Sequence, residues 1–262
     1  MDISSIIGLI TGLGALIIAF LMEGGNLSSL VLPSPFITVF GGTLGAVFLS
    51  YRIDDIKKIP KLFMQAMKKS TLNTEQEINT LVAMSEQARR EGLLSLEPMI
   101  SDNQQEPIDP LLKRGITMVI DGVGAQEIHN MLETEIYVAE QSKRNDASIF
   151  ESAGGFSPTM GVIGTVMGLI HVLSNMGAAD ELAASIATAF IATFYGVSFA
   201  NLIYIPIASK LKLQIKSYKM EKEMIIEGIL GIRNGENPKI LRERLEAYVI
   251  KNSTKPKGEV EK

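Results

Sequence analysis

The sequence predicts an all-α fold: a polytopic membrane protein with four transmembrane helices and a helical cytoplasmic domain. Three observations lead there. Hydrophobic residues fill 46% of the 262 positions and mean hydropathy is +0.21, more apolar than a globular enzyme usually is. Four stretches are long enough, as helices of ~20 residues, to cross a hydrocarbon core about 30 Å thick. All 25 Lys and Arg lie within 52–144 or 210–262, leaving 1–51 and 145–209 with none.

The first span is Ile3 to Met22, an uncharged run between Asp2 and Glu23. It is too long for the core of a signal peptide and lacks a basic leader, so a retained helix is expected. The second is Phe36 to Ser50, lengthened by Leu27 to Leu32, with a turn or helix start at Pro33 and Pro35. Phe156 to Met176 and Leu182 to Ala208 form the third and fourth, joined by the small acidic turn GAADE. The connections at 23–35 and 177–181 carry no positive charge, so the positive-inside rule turns them away from the cytoplasm. Expected parts are 1–50 (spans one and two), 51–154 (cytoplasmic helices), 155–208 (spans three and four) and 209–262 (cytoplasmic helix and tail), with both termini cytoplasmic.

In the first cytoplasmic part, Thr74-x-x-Glu77 reads as a capping box opening a helix that Gly92 stops. SDNQQEPIDP reads as a loop. A second helix starts near Pro110, is loosened by DGVGA at 121–125, resumes through Ile128, Leu132 and Ile136, and runs toward span three. After span four, KLKLQIKSYKMEKEMIIEGILGI is amphipathic and continuous with the membrane helix. The Lys- and Glu-rich tail after Val249 reads as disordered.

The chemistry is defined largely by what is missing. There is no cysteine and there are only two histidines, which excludes disulfide frameworks and thiolate or multi-histidine metal sites. No P-loop, metalloprotease or serine-hydrolase motif occurs, so no enzyme, cofactor or metal is expected. A net charge of -4 offers nothing for nucleic acid. His171 is the one ionisable group deep in a span and by that a functional candidate; the reading favoured by its lack of a carboxylate partner is a neutral, hydrogen-bonded imidazole. Small residues give a stronger signal: Gly164 with Gly168, Gly8 with Gly12, Gly41 with Gly45, and the stripe Ala184, Thr188, Ala192, Gly196, Ala200. Such stripes let helix backbones approach where lipid gives no drive to associate. Functional weight falls on those members and neighbours that offer an oxygen or a broken backbone bond: Pro158, Thr165, Thr188, Thr193 and Pro206, the last freeing the carbonyl of Leu202. Pro158 taken alone reads as an N-terminal residue of its span. Asp and Glu sit only at the span edges, at Asp2, Glu23, Glu151, Asp180 and Glu181. Ion conduction needs a carboxylate at membrane depth, which would have to come from another polypeptide.

Four segments, ARREGLLSLE at 88–97, FSPTMGVIGTVMGLIHVL at 156–173, ATFYGVSFANLIYIPIASKL at 192–211 and EGILGIRNGENPKILRERL at 227–245, make the chain resemble the MotA family of flagellar stator subunits, and more distantly the ExbB and TolQ energisers. The resemblance implies a homopentamer in the bacterial inner membrane around a pair of MotB subunits that carry the ion-binding aspartate and grip peptidoglycan. By the same resemblance Pro158 and Pro206 couple ion flow to movement, Thr193 faces the MotB aspartate, and Arg89 and Glu97, with Arg90 adjacent, engage the rotor protein FliG. The implied ion is H⁺; Thr165 and Thr193 match sodium-using relatives, so Na⁺ stays open, as does an ExbB- or TolQ-like energiser.

Overall fold

The computed structural model describes residues 2–68, 74–101, 108–174 and 179–249, with the side chains of 179–182 left aside. Most of SDNQQEPIDP, the first residues of GAADE and the tail after Val249 lie outside the described residues. Among the described residues the structure is helical and contains no strand. The helices are α1 (Ile3–Met22), α2 (Pro33–Phe36), α3 (Gly42–Ser50), α4 (Ile53–Ile56), α5 (Ile59–Ala66), α6 (Thr74–Glu91), α7 (Pro110–Ile120), α8 (Ala125–Ser174), α9 (Ala179–Phe199), α10 (Ile205–Arg233) and α11 (Pro238–Glu246). Four helical stretches are long and apolar enough to cross a membrane: Ile3–Met22, Leu27–Ser50, and parts of Ala125–Ser174 and Ala183–Arg233.

The chain divides into two compact units, Met1–Ser70 with Ser142–Ile215, and Thr71–Gln141 with Lys216–Lys262. The first holds the spans. Its α1 buries no residue, and large apolar side chains such as Ile10, Leu49 and Phe190 stand exposed, the pattern of a surface solvated by lipid. Polar anchors fix the ends of its helices. Asp2 caps α1, accepting from the Ser4 N–H at 3.2 Å, and also binds the Lys210 ammonium; that hydrogen bond holds the Asp2 carboxyl down at about 2. Tyr51 donates to the Ser148 carbonyl at 2.8 Å, and Lys58 bridges Asp55 at 2.9 Å and Asp146 at 3.2 Å. In the 3₁₀ turn Leu27–Leu30, the Leu30 carbonyl accepts from the Tyr195 hydroxyl, which itself accepts from the Leu32 N–H at 3.3 Å.

Proline and glycine set the interruptions. Pro33 opens α2 at its first position, and a wide π-helical turn, Ile37–Gly41, joins α2 to α3. A second wide turn, Ala200–Tyr204, joins α9 to α10; its closing bond runs from the Ile205 N–H to the Ala200 carbonyl. Pro206 follows at once, and its missing N–H accounts for the irregular turn. Gly92 ends α6 at φ +87° and Gly122 separates α7 from α8 at φ +77°, values that only glycine adopts cheaply. DGVGA therefore breaks the helix outright rather than loosening it.

The second unit has a conventional apolar core, including Ile78, Leu81, Met84, Leu112, Ile116 and Ile229, all essentially fully buried. Truncating one such side chain to Ala typically costs about 2–5 kcal/mol. Against this core lies a charged cluster. The carboxylates of Glu77, Asp109 and Glu221 each place an oxygen within 4.8 Å of the others. Asp109 both caps α7, at 2.9 Å from the Leu111 N–H, and binds the buried Lys222 ammonium. Lys222 also reaches Glu221 at 3.4 Å and lies 5.3 Å from the Tyr218 ring centroid. Burial opposes its charge, but the Asp109 bond and the surrounding carboxylates hold its pKa above the ordinary value. Glu77, read from sequence as half of a capping box, turns instead into this cluster; its Oε2 is solvent-inaccessible and has no hydrogen-bond partner. Desolvation first, then the Glu221 charge, push its carboxyl up to about 7. In the unfolded chain that group titrates near ~4.3. The folded state therefore binds the extra proton between these values, and stability falls as pH rises from about 4.3 to about 7, then levels. Glu77→Gln is expected to flatten this slope and to stabilise the protein at pH 8 by about 1–2 kcal/mol, after allowing for solvent screening of a half-buried group. Thermal unfolding of the purified full chain between pH 5 and 8 checks it; equal slopes in the two proteins would refute it.

Candidate functional site

Spans three and four meet along a seam of small residues. On α8 these are Gly161, Gly164 and Gly168, and on α9 Ala189, Ala192 and Gly196; both sets step by three and then four positions, the spacing of one helix face. The helices run antiparallel. A Cβ on Gly161 would lie 2.9 Å from the Ala192 carbonyl oxygen and 3.1 Å from the Thr193 Cα. One on Gly196 would lie 2.5 Å from the Ser157 carbonyl oxygen and 3.1 Å from the Gly161 Cα. One on Gly164 or Gly168 would meet the methyl of Ala192 or Ala189 at 2.6 Å. Backbone thus lies on backbone, and Ser157, itself buried, donates to the Gly196 carbonyl at 3.0 Å. The remaining glycine pairs behave differently. Gly12 alone meets a side chain closely, that of Leu202 at 2.8 Å, while Gly8 and Gly45 have nothing within 4 Å in the chain. Close packing within the chain is therefore met at Gly12 and not at Gly8 or Gly45.

The seam brings Thr165 and Thr193 together. Their hydroxyls are hydrogen-bonded to each other, and Thr165 Oγ1 also lies 3.1 Å from the Gly161 carbonyl and 3.0 Å from that of Ala189. Thr193 Oγ1 lies 3.4 Å from the Gly161 carbonyl. Two hydroxyl and two carbonyl oxygens therefore converge where helices are nearly touching, with no carboxylate among them. Thr188, in the same stripe, donates to its own Ala184 carbonyl at 2.9 Å.

The two prolines bracket this site along the chain. Pro158 lies inside α8 rather than at a helix start, which corrects the reading of it as an N-terminal residue. There it removes the N–H that would bond the Gly154 carbonyl, and the helix continues past it. Pro206 is exposed at the start of α10, beside the wide turn. Arg89, Arg90 and Glu97 belong to the other unit: the arginines end α6, Glu97 follows in the 3₁₀ stretch Leu93–Ile100, and all three are exposed. Arg90 pairs loosely with Glu86 at 3.8 Å.

Sequence reasoning missed Ser157, Gly161, Ala189 and Tyr195. The shared three-then-four spacing was the available signal for the glycine and alanine. Nothing local marked Ser157 or Tyr195, whose partners are 39 and 165 positions away.

Comparison with known proteins places this seam. The profile of the MotA/TolQ/ExbB proton channel family matches residues 103–224, and that of the Motility protein A N-terminal region matches 6–92. Motility protein A of Bacillus subtilis (strain 168) is 36% identical over 250 residues, 95% of this chain and 91% of its own length. The chain belongs to the MotA/TolQ/ExbB proton channel family. Two solved structures share the whole fold of this MotA-like chain. The flagellar MotAB stator complex from Bacillus subtilis has a TM-score of 0.85 at 36% identity, covering 94% of this chain and 96% of that one. C. jejuni MotAB has a TM-score of 0.88 at 29% identity, covering 97% and 98%. The α8–α9 seam lies within the part matched by the channel-family profile.

The seam makes two glycine substitutions opposite in outcome. Gly196→Ala forces its methyl onto a backbone carbonyl that cannot rotate away, and is expected to destabilise the spans by about 1–3 kcal/mol. Gly8→Ala, with open space around it, is expected to be neutral or slightly stabilising through helix propensity. Thermal melting of the full chain in detergent reads both; an undisturbed Gly196→Ala protein would overturn the seam as described.

Proposed function

We propose that this chain forms the channel wall of a flagellar stator in which a MotB-like, peptidoglycan-binding subunit supplies the titrating carboxylate. The observation that carries this is the Thr165–Thr193 site. Its oxygens are drawn together in the spans by backbone-to-backbone packing, yet the spans offer no acid of their own. An ion that neutralises the partner's aspartate changes which wall position that helix prefers. Linkage then requires different rotational states to bind the ion with different affinity. Each charge crossing ~100 mV supplies about 2.3 kcal/mol, so successive states must be nearly equal in energy. A homopentamer around a central pair provides such equivalent positions.

In this reading Pro158 and Pro206 yield during each step, because both remove a backbone donor at a span. Residues 51–154 and 209–262, with both termini, lie in the cytoplasm, where all the positive charge is. Arg89, Arg90 and Glu97 form the face that meets FliG; exposed charges at such a contact favour fast and correctly registered engagement over tight binding. The match to the Motility protein A N-terminal region over 6–92 favours a flagellar stator over an ExbB- or TolQ-like energiser.

The channel family is one of proton channels, and H⁺ is the proposed ion. One observation favours Na⁺ as a second reading: hydroxyl and carbonyl oxygens at Thr165, Thr193, Gly161 and Ala189 resemble a partial ligand set for a hard cation.

Swimming speed of cells carrying the chain and its partner, recorded against external Na⁺ and a protonophore, tests the assignment. Motility is expected to vanish with the protonophore at every Na⁺ concentration. Speed that follows Na⁺ and survives the protonophore would replace H⁺ with Na⁺, and unchanged motility on deleting the pair would end the stator reading. At the rotor face, Arg89→Glu is expected to abolish rotation while leaving the stator assembled in the membrane. Normal swimming by that variant would remove Arg89 from the contact.

A further inference from the structure

A cavity of about 530 Å³ opens beside the seam, walled by α2 and its wide turn, α8 and α9. Its polar lining comes from Ser34, Thr38, His171, Ser185 and Thr188, and its floor includes Ala189, whose carbonyl also lies against the Thr165 hydroxyl. At ~30 Å³ of liquid per molecule this volume has room for on the order of ten waters.

Three features mark it as wet and cation-directed. First, Thr38 and Thr188 each commit their only hydroxyl proton to an intrahelical carbonyl, Ser34 at 3.0 Å and Ala184 at 2.9 Å. Their remaining lone pairs are acceptors, suited to water and to a cation rather than an anion. Second, the π-helical turn Ile37–Gly41 widens the helix at Thr38, which lines the cavity. Third, His171, the one ionisable side chain deep in a span, is at this cavity, and intramembrane ionisable groups face protein interior or water. Along α8, His171 is six residues beyond Thr165, about 9 Å, toward the helix end farther in sequence from the basic residues.

We propose that this cavity is the hydrated outer vestibule through which the transported cation reaches the Thr165–Thr193 site, with Thr188 and Ser185 as its acceptor wall. The proposal rests on the channel-wall reading above and adds the route by which the ion arrives.

The chain has no cysteine, so single cysteines report cleanly. Thr188→Cys and, as a second variant, Ser185→Cys are expressed in the full chain with its MotB-like partner, and intact cells are exposed to a charged, membrane-impermeant methanethiosulfonate. Ile10→Cys, on the apolar span α1 and outside the lining of this cavity, is the dry control. A thiol reacts as the thiolate, which forms in water and not in lipid, so Thr188→Cys is expected to label at least about tenfold faster than Ile10→Cys. Swimming speed is expected to fall as labelling proceeds. Labelling no faster than at Ile10→Cys for both variants would overturn the vestibule, and full labelling with undiminished speed would show a wet pit off the ion route and overturn it equally. Failure of the underlying stator reading is seen separately, as motility that survives deletion of the pair.

Discussion

The direct approach of two helix backbones at Gly161 and Gly196 is the constraint on which the membrane half of this structure depends. In lipid there is no hydrophobic gain from bringing helices together, so close dispersion contact and interhelical hydrogen bonds must do it. A Cβ on either glycine would strike backbone, and backbone cannot swing aside as a side-chain tip can. Because the helices touch there, Ser157 reaches the Gly196 carbonyl, and Thr165 and Thr193 meet one turn further along. The oxygen site is thus a product of the missing side chains around it.

Polar anchors at the span ends then fix what the seam leaves free. Tyr195 closes the 27–32 connection onto α9, Tyr51 holds α3's end to α8, and Lys210 ties the start of α1 to α10. Between those anchors the two wide turns, each beside a proline, are the places where helical hydrogen bonding is already relaxed. A wall that must pass between nearly equal states benefits from having its irregularity confined to such turns, with the seam itself tightly held.

The second unit is held by ordinary means, a packed aliphatic core with glycines at close helix approaches, such as Gly228 against Leu81. Its unusual element is three carboxylates gathered around one buried lysine. One cation does not balance three acids in a partly dehydrated place, and desolvation with the Glu221 charge raises the Glu77 carboxyl's pKa accordingly.

The sequence alone determined the four spans and the absence of an acid within them, because bilayer thickness and the cost of burying charge act on composition and length without regard to packing. It also determined α6 and α7, where the signals are local, whereas the structure turned the loosening expected at DGVGA into a break at Gly122. The tertiary structure alone decided which small residues were structural. Gly8 and Gly45 share the spacing of Gly164 and Gly168 yet meet nothing within the chain, since a G-x-x-x-G pair states only that approach is permitted. It likewise decided that Pro158 lies within a continuous helix, the 50-residue α8. And it moved Glu77 from a helix cap to a place among acids, since Glu221 and Asp109 are distant in sequence and only folding makes them neighbours.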